Sequence, residues 1–130
     1  MAARILLAED SETLGQIVRI KLHQAGYKVD WQRDGDAAWS AIQKDHPDLA
    51  ILDVMMPLTS GFEVLKNMKQ SDATRNIPVI MMTARAMEDD VRRGIEGGAS
   101  DYVIKPFKPD DLMVRVKRLC PVGAPASVEL

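Results

Sequence analysis

Short apolar runs alternate with amphipathic stretches five times along the chain, and this alternation limits what it can fold into. "ARILLA" (Ala3 to Ala8) is apolar but for Arg4, as a parallel strand covered on both faces should be. Leu14, Ile17, Val18, Leu22 and Ala25 then recur at helical spacing, and Gly26 stops the helix. "YKVDW" (Tyr27 to Trp31) alternates polar and apolar residues and reads as an edge strand. Asp34 offers an N-cap for a helix running to about Lys44, which His46-Pro47 ends. "DLAILD" (Asp48 to Asp53) is the third strand. "SGFE" (Ser60 to Glu63) is a capping box whose helix turns Phe62, Leu65 and Met68 inward. "IPVIMMT" (Ile77 to Thr83) is the fourth strand, followed by a weaker helix from about Met87 to Glu96 that stops at Gly97-Gly98. "DYVIK" (Asp101 to Lys105) is the fifth strand. Pro109, with Asp110 and Asp111 behind it, opens a last helix with Leu112, Val116 and Leu119 on one face. Strict alternation implies right-handed crossovers, so the expectation is an α/β fold: a doubly wound five-stranded parallel sheet with helices on both faces.

The 130 residues suit one domain with a real core. Residues 1–120 are expected to form it, and the Pro-, Gly- and Ala-rich stretch 121–130 to be a flexible tail or linker stub. A net charge of -2 gives no basic footprint for nucleic acid. No apolar run reaches membrane-spanning length, and the N-terminus turns acidic at Glu9 without a signal-peptide pattern. The single cysteine, Cys120, suits a reducing compartment, so a cytoplasmic location is expected. Neither a Gly-x-Gly-x-x-Gly turn nor a Gly-x-x-x-x-Gly-Lys loop is present, which argues against dinucleotide and P-loop sites.

In open parallel sheets ligands bind beyond the carboxyl ends of the strands. Those ends carry Glu9-Asp10, Asp53, Thr83 and Lys105. Were the first and third strands neighbours, three carboxylates would share one crevice and raise one another's pKa values. A divalent cation resolves that repulsion, and hard oxygen ligands in a wet site suit Mg²⁺. A carboxylate beside such a metal can attack phosphorus and form an aspartyl phosphate. Lys105 and the Thr83 hydroxyl would then meet the phosphoryl oxygens. Singly, each residue has a plainer reading: Asp53 as a turn carboxylate, Glu9-Asp10 as a helix N-terminal signal, Thr83 as a cap, Lys105 as a solvated strand end. The matched set at four strand ends favours a site. His23 and His46 lack ligand partners at metal spacing and read as surface residues. Met55, Met56, Met81 and Met82 read as core packing.

The segments "ILLAEDS", "AILDVMMPLTSGFEVL", "PVIMMTA" and "GASDYVIKPF" resemble the receiver domain of two-component response regulators, over about Arg4 to Leu119. The resemblance implies a flavodoxin-like strand order, 2-1-3-4-5. It implies Asp53 as phosphoacceptor, and Glu9 and Asp10 as the acidic Mg²⁺ pair, with Asp10 the direct ligand. Asp53 and the backbone carbonyl of Met55 complete the metal set. Thr83, the Ala84 backbone and Lys105 would hold phosphoryl oxygens, and the Lys105–Pro106 bond would be cis. Tyr102 matches an aromatic that swings inward on activation; the residues alone leave it open between that role and a strand aromatic with its hydroxyl in solvent. Met55 and Arg85 match positions that tune self-dephosphorylation.

The implied protein is a switch rather than an enzyme, charged by a sensor histidine kinase or phosphotransfer protein. It would signal to an effector domain or protein, either as a stand-alone regulator or as part of a larger one. Its output face would join the fourth helix, fifth strand and last helix, where Val91, Arg92, Glu96, Asp101, Arg115 and Arg118 are contact candidates and a homodimer is one outcome. Taken singly, each of those six reads as an ordinary solvated residue. A Mg²⁺-dependent aspartyl-phosphate phosphohydrolase is a competing reading. It would favour Asp-x-Asp, and "VMM" follows Asp53 instead. An unphosphorylated receiver-like scaffold is a third, opposed by the intact acid pocket, Thr83 and Lys105.

Overall fold

The computed structural model describes residues 2–84, 92–93 and 95–122. Five strands form one parallel sheet: β1 (Arg4–Ala8), β2 (Lys28–Gln32), β3 (Leu49–Asp53), β4 (Val79–Thr83) and β5 (Asp101–Ile104). Their order is β2-β1-β3-β4-β5, so the winding reverses between β1 and β3. Among the described residues four helices are complete: α1 (Glu12–Gln24), α2 (Gly35–Lys44), α3 (Gly61–Gln70) and α4 (Pro109–Leu119). Of the helix expected from Met87 to Glu96, Arg92, Arg93, Ile95 and Glu96 are helical. Its other residues, Val91 among them, lie outside the described residues, as do Arg85 and residues 123–130.

Alternate side chains of the sheet feed two cores. Ile5, Leu7, Leu49, Ile51, Ile80, Met82 and Val103 pack with Val18 and Leu22 of α1 and with Leu112, Met113 and Val116 of α4. Leu6, Ala8, Ala50, Leu52, Val79 and Met81 pack with Ala38 and Ile42 of α2 and with Phe62, Val64, Leu65 and Met68 of α3. This explains why β1, β3 and β4 are apolar runs without alternation: both of their faces are covered. Each large aliphatic side chain so buried contributes about 1.5–3 kcal/mol.

The helices start where their caps dictate. The Asp34 and Ser60 side chains accept the N–H of Ala37 and Glu63. The cap of α1 is Ser11, which accepts the Leu14 N–H; Glu9 and Asp10 precede it and do not cap. Pro109 takes the first turn of α4. Gly26 has φ +101°, the left-handed stop expected of it. His23 and His46 are exposed, and Cys120 is a buried free thiol.

Several positions differ from expectation. β2 runs Lys28–Gln32 rather than Tyr27–Trp31, because Tyr27 is buried under the sheet end, its hydroxyl donating to the Cys120 carbonyl at 2.5 Å. β5 ends at Ile104, one residue before Lys105. Ile17 is 42% exposed, since α1 spends only a narrow stripe on the sheet. Met81, Met82 and Met56 pack into or against the core, but Met55 is 57% exposed on the turn beyond β3.

Candidate functional site

The site lies where the winding reverses, beyond the carboxyl ends of β1 and β3. Parallel pairing sets Ala8 beside Leu52, so the residues that follow, Glu9 and Asp53, share one crevice. Glu9 is fully buried. Its backbone N–H donates to the Gln32 carbonyl at 3.0 Å, and its Oε2 accepts the Ser11 N–H at 3.0 Å. Asp10, next along, is exposed. Asp53 is 3% exposed, and its Oδ1 accepts the Met55 N–H at 3.3 Å. Glu9, Asp10 and Asp53 each offer a carboxylate oxygen within 4.8 Å of one another.

Lys105 reaches this cluster from beyond β5. Its Nζ lies 2.8 Å from Glu9 Oε1 and 3.2 Å from Asp53 Oδ2. Its backbone N–H donates to the Thr83 carbonyl at 2.6 Å, and its bond to Pro106 is cis, as expected. Thr83, at the end of β4, is fully buried, and Ala84 beside it is exposed. Lys105 and Ala84, with Leu14, Pro106 and Phe107, line an open cleft of about 500 Å³ at the rim of the site.

The electrostatics follow from burial. Loss of water, then the negative charge of Glu9, push the Asp53 carboxyl up to about 7, against the opposing pull of Lys105. Burial works against the Lys105 ammonium, but the Glu9 hydrogen bond and the two carboxylate charges outweigh it and hold its pKa above the ordinary value. An excess of buried negative charge with oxygen donors on three residues suits a hard divalent cation.

Tyr102 packs its ring against the α2–α3 core with its hydroxyl oxygen buried, so the solvent-facing alternative does not hold. Of the expected output-face residues, Asp101, Arg115 and Arg118 are engaged with one another. Arg115 and Arg118 both bind Asp101, at 2.7 and 2.6 Å. Two contributors to the site were not singled out in the sequence. Ser11 orients Glu9, and an N-cap serine three residues before Leu14 is a readable signal for it. Gly61 packs its backbone on the Asp53 carbonyl, a closeness that only coordinates reveal.

A family model described as "Response regulator receiver domain" matches residues 5–117. The chain belongs to that family. This receiver domain is 41% identical over 129 residues to the phosphate regulon transcriptional regulatory protein PhoB of Escherichia coli, covering 99% of this chain and 56% of PhoB. It therefore spans about half the length of the curated relatives it matches. Among solved structures it is similar to a putative response regulator from Chloroflexus aurantiacus, with TM-score 0.87, 34% identity, and coverage of 92% of this chain and 98% of that one. It is also similar to the receiver domain of sensor histidine kinase PA1611 from Pseudomonas aeruginosa, described with a magnesium ion coordinated in its active-site cleft. There the TM-score is 0.84 and the identity 27%, over 92% of this receiver domain and 98% of that one. Among the described residues no helix is long and apolar enough to cross a membrane.

Proposed function

We propose that this receiver domain, residues 1–120 with a tail after them, is a phosphorylation-controlled switch whose acceptor is Asp53. The observation that carries the reading is the placement of Lys105 Nζ within 3.2 Å of Asp53 Oδ2 and 2.8 Å of Glu9 Oε1, beside three convergent carboxylates. Glu9, Asp10, Asp53 and the Met55 carbonyl are the residues to hold Mg²⁺, which when bound supplies positive charge to the site. An Asp53 oxygen attacks the phosphorus of a phosphohistidine on a sensor kinase or phosphotransfer protein. The P–N bond breaks, and its electron pair leaves with the imidazole. The chain's own contribution is position and charge: Lys105, the Thr83 hydroxyl and the Ala84 N–H would meet the phosphoryl oxygens. The exposed cleft at Leu14, Pro106 and Phe107 gives the donor a way in.

The phosphoryl group carries about -1.5 to -2 charges near neutral pH where the ionised carboxylate carried one. Drawing Thr83 toward that group frees space beside Tyr102, and the population shifts toward a second arrangement of the β5–α4 face. That face, with Arg92, Glu96, Asp101, Arg115 and Arg118, is the surface for an effector or a second copy. Met55, exposed on the turn beyond β3, would with Arg85, which lies outside the described residues, set how fast water removes the phosphoryl group. The length of relatives such as PhoB supports an effector domain as the output, and a cytoplasmic site fits a kinase-fed switch.

Incubation with Mg²⁺ and acetyl phosphate, read by intact mass beside Asp53→Asn, tests this. The expected result is a gain of one phosphoryl group in the wild type only, and only with Mg²⁺. A gain that persists in Asp53→Asn would move the acceptor elsewhere. No gain from acetyl phosphate or from several kinases would leave a scaffold.

A further inference from the structure

The edge strand β2 sends no carboxylate into the site, yet it grips the residue at the site's floor. The Glu9 N–H donates to the Gln32 carbonyl at 3.0 Å, and the Glu9 carbonyl accepts the indole N–H of Trp31 at 2.9 Å. Both backbone polar groups of Glu9 are thus held by adjacent residues of one strand. The Glu9 carbonyl belongs to the peptide plane that leads into Asp10. A bond that holds this plane fixes the Asp10 N–Cα bond and so narrows the directions in which the Asp10 side chain can leave the chain.

Trp31 is itself held from two sides. Its six-membered ring lies on Gly15 of α1 so closely that a Cβ there would sit 2.0 Å from Trp31 Cζ2. A glycine in the middle of a helix costs about 1 kcal/mol relative to alanine, and this contact is what the exchange makes room for. On its outer side the Arg33 guanidinium stacks over the ring at 4.3 Å from the centroid. Arg33 in turn pairs with Glu12, in the first turn of α1, at 2.8 Å. The indole therefore sits between a helix backbone and a cation with its N–H aimed at one acceptor.

We infer that Trp31 is a positioning residue for the acidic pair. It orients the Glu9–Asp10 peptide so that the Asp10 carboxylate converges with Glu9 and Asp53, and it thereby sets the affinity for a divalent cation. This rests on the cation-binding reading of the cluster. Trp31 touches neither cation nor phosphoryl group and acts only through the Glu9 carbonyl.

Trp31→Phe keeps an aromatic ring over Gly15 and removes the N–H. Mg²⁺ affinity, measured by calorimetric titration with MgCl₂, is expected to fall about three- to tenfold, the worth of one hydrogen bond. The urea midpoint in EDTA, which reports the fold alone, is expected to fall modestly as well, because the bond is already present in the cation-free fold. Equal Mg²⁺ affinity in wild type and variant overturns the inference alone. Absence of Mg²⁺ uptake by the wild type overturns the cation reading and the inference with it. A second readout needs no change at Trp31. In the wild type, with the two indole N–H signals told apart by Trp39→Phe, Mg²⁺ titration is expected to move the Trp31 signal and leave the Trp39 signal in place. A Trp31 signal indifferent to saturating Mg²⁺ overturns the inference even should Trp31→Phe fail to fold.

Discussion

Gly61 packs directly against Asp53: a Cβ at position 61 would lie 2.2 Å from the Asp53 carbonyl oxygen. The turn that brings it there passes through Leu58 at φ 71°, and the Gly61 N–H then donates to the Val54 carbonyl at 3.0 Å. The first turn of α3 is therefore seated on the backbone of the proposed acceptor. Gly61→Ala must push α3 away from β3. It is expected to destabilise the fold by about 2 kcal/mol, the range of overpacking in a filled interior. It should also slow phosphorylation by acetyl phosphate, because Met55 and Asp53 move with the turn. Urea unfolding and the rate of mass gain check the two effects.

Asp53 makes the cation-free fold pH-dependent. Its carboxyl stands at about 7 in the folded chain against 3.8 ordinarily, raised first by burial and then by Glu9. As pH rises above 3.8 the unfolded chain loses this proton first, so stability falls until the folded group also ionises near 7. The full separation corresponds to about 4 kcal/mol. Asp53→Asn removes the titration, so in EDTA at pH 8 it is expected to be more stable than wild type by about 2 kcal/mol. Saturating Mg²⁺ should reverse the order by stabilising the wild type alone. Melting curves at pH 5 and 8, with EDTA and with Mg²⁺, show both.

Lys105 stabilises the same carboxylates and competes with a cation for them. Lys105→Ala leaves Glu9 and Asp53 buried without their positive partner. A loss of about 3 kcal/mol is expected in EDTA at pH 8, and less at pH 5, where Asp53 takes up a proton. Mg²⁺ affinity should rise, because a positive charge 3.2 Å from an Asp53 oxygen is gone. Weaker Mg²⁺ binding in the variant would mean that the lysine organises the carboxylates more than it opposes the cation.

The elements were legible in the sequence because this sheet is covered on both faces. Burying β3, β4 and all of β1 after Arg4 demands uninterrupted apolar runs, and the polar residues that end those runs mark the site. Glu9, Asp53 and Thr83 stand out for that reason, while Lys105 follows the only partly buried β5. Limits of one residue blurred at β2, where half-burial weakens the pattern and Tyr27 is apolar for the sake of the core rather than the strand. Met55 and Ile17 look like core residues in the sequence because composition does not say which side of a turn or helix is wet. The complete burial of Glu9, against the exposure of its neighbour Asp10, depends on Ser11, Gln32 and Lys105, which meet only in three dimensions.

Asp101 was one of several charges expected to lie free on the output face, and it instead ties that face together. Its Oδ1 accepts from Arg115 and from the Tyr102 N–H, at 2.7 and 2.8 Å, and its Oδ2 accepts from Arg118. Burial works to raise its pKa, but these bonds and the two arginine charges outweigh burial and hold it below the ordinary value of 3.8. A depressed carboxyl contributes stability that is present above 3.8 and is lost as pH falls through its folded value. The arginines are partly exposed, so solvent screens the contribution. Asp101→Asn keeps an acceptor for the Tyr102 N–H and loses the charge. It is expected to cost about 1 kcal/mol at pH 7 in low salt. The difference from wild type should shrink in high salt and close in acid as the wild-type carboxyl takes its proton. Urea midpoints for the two proteins at pH 7 and in acid provide the check. A gap that stays constant across both would assign the loss to packing at β5 rather than to the ion pairs.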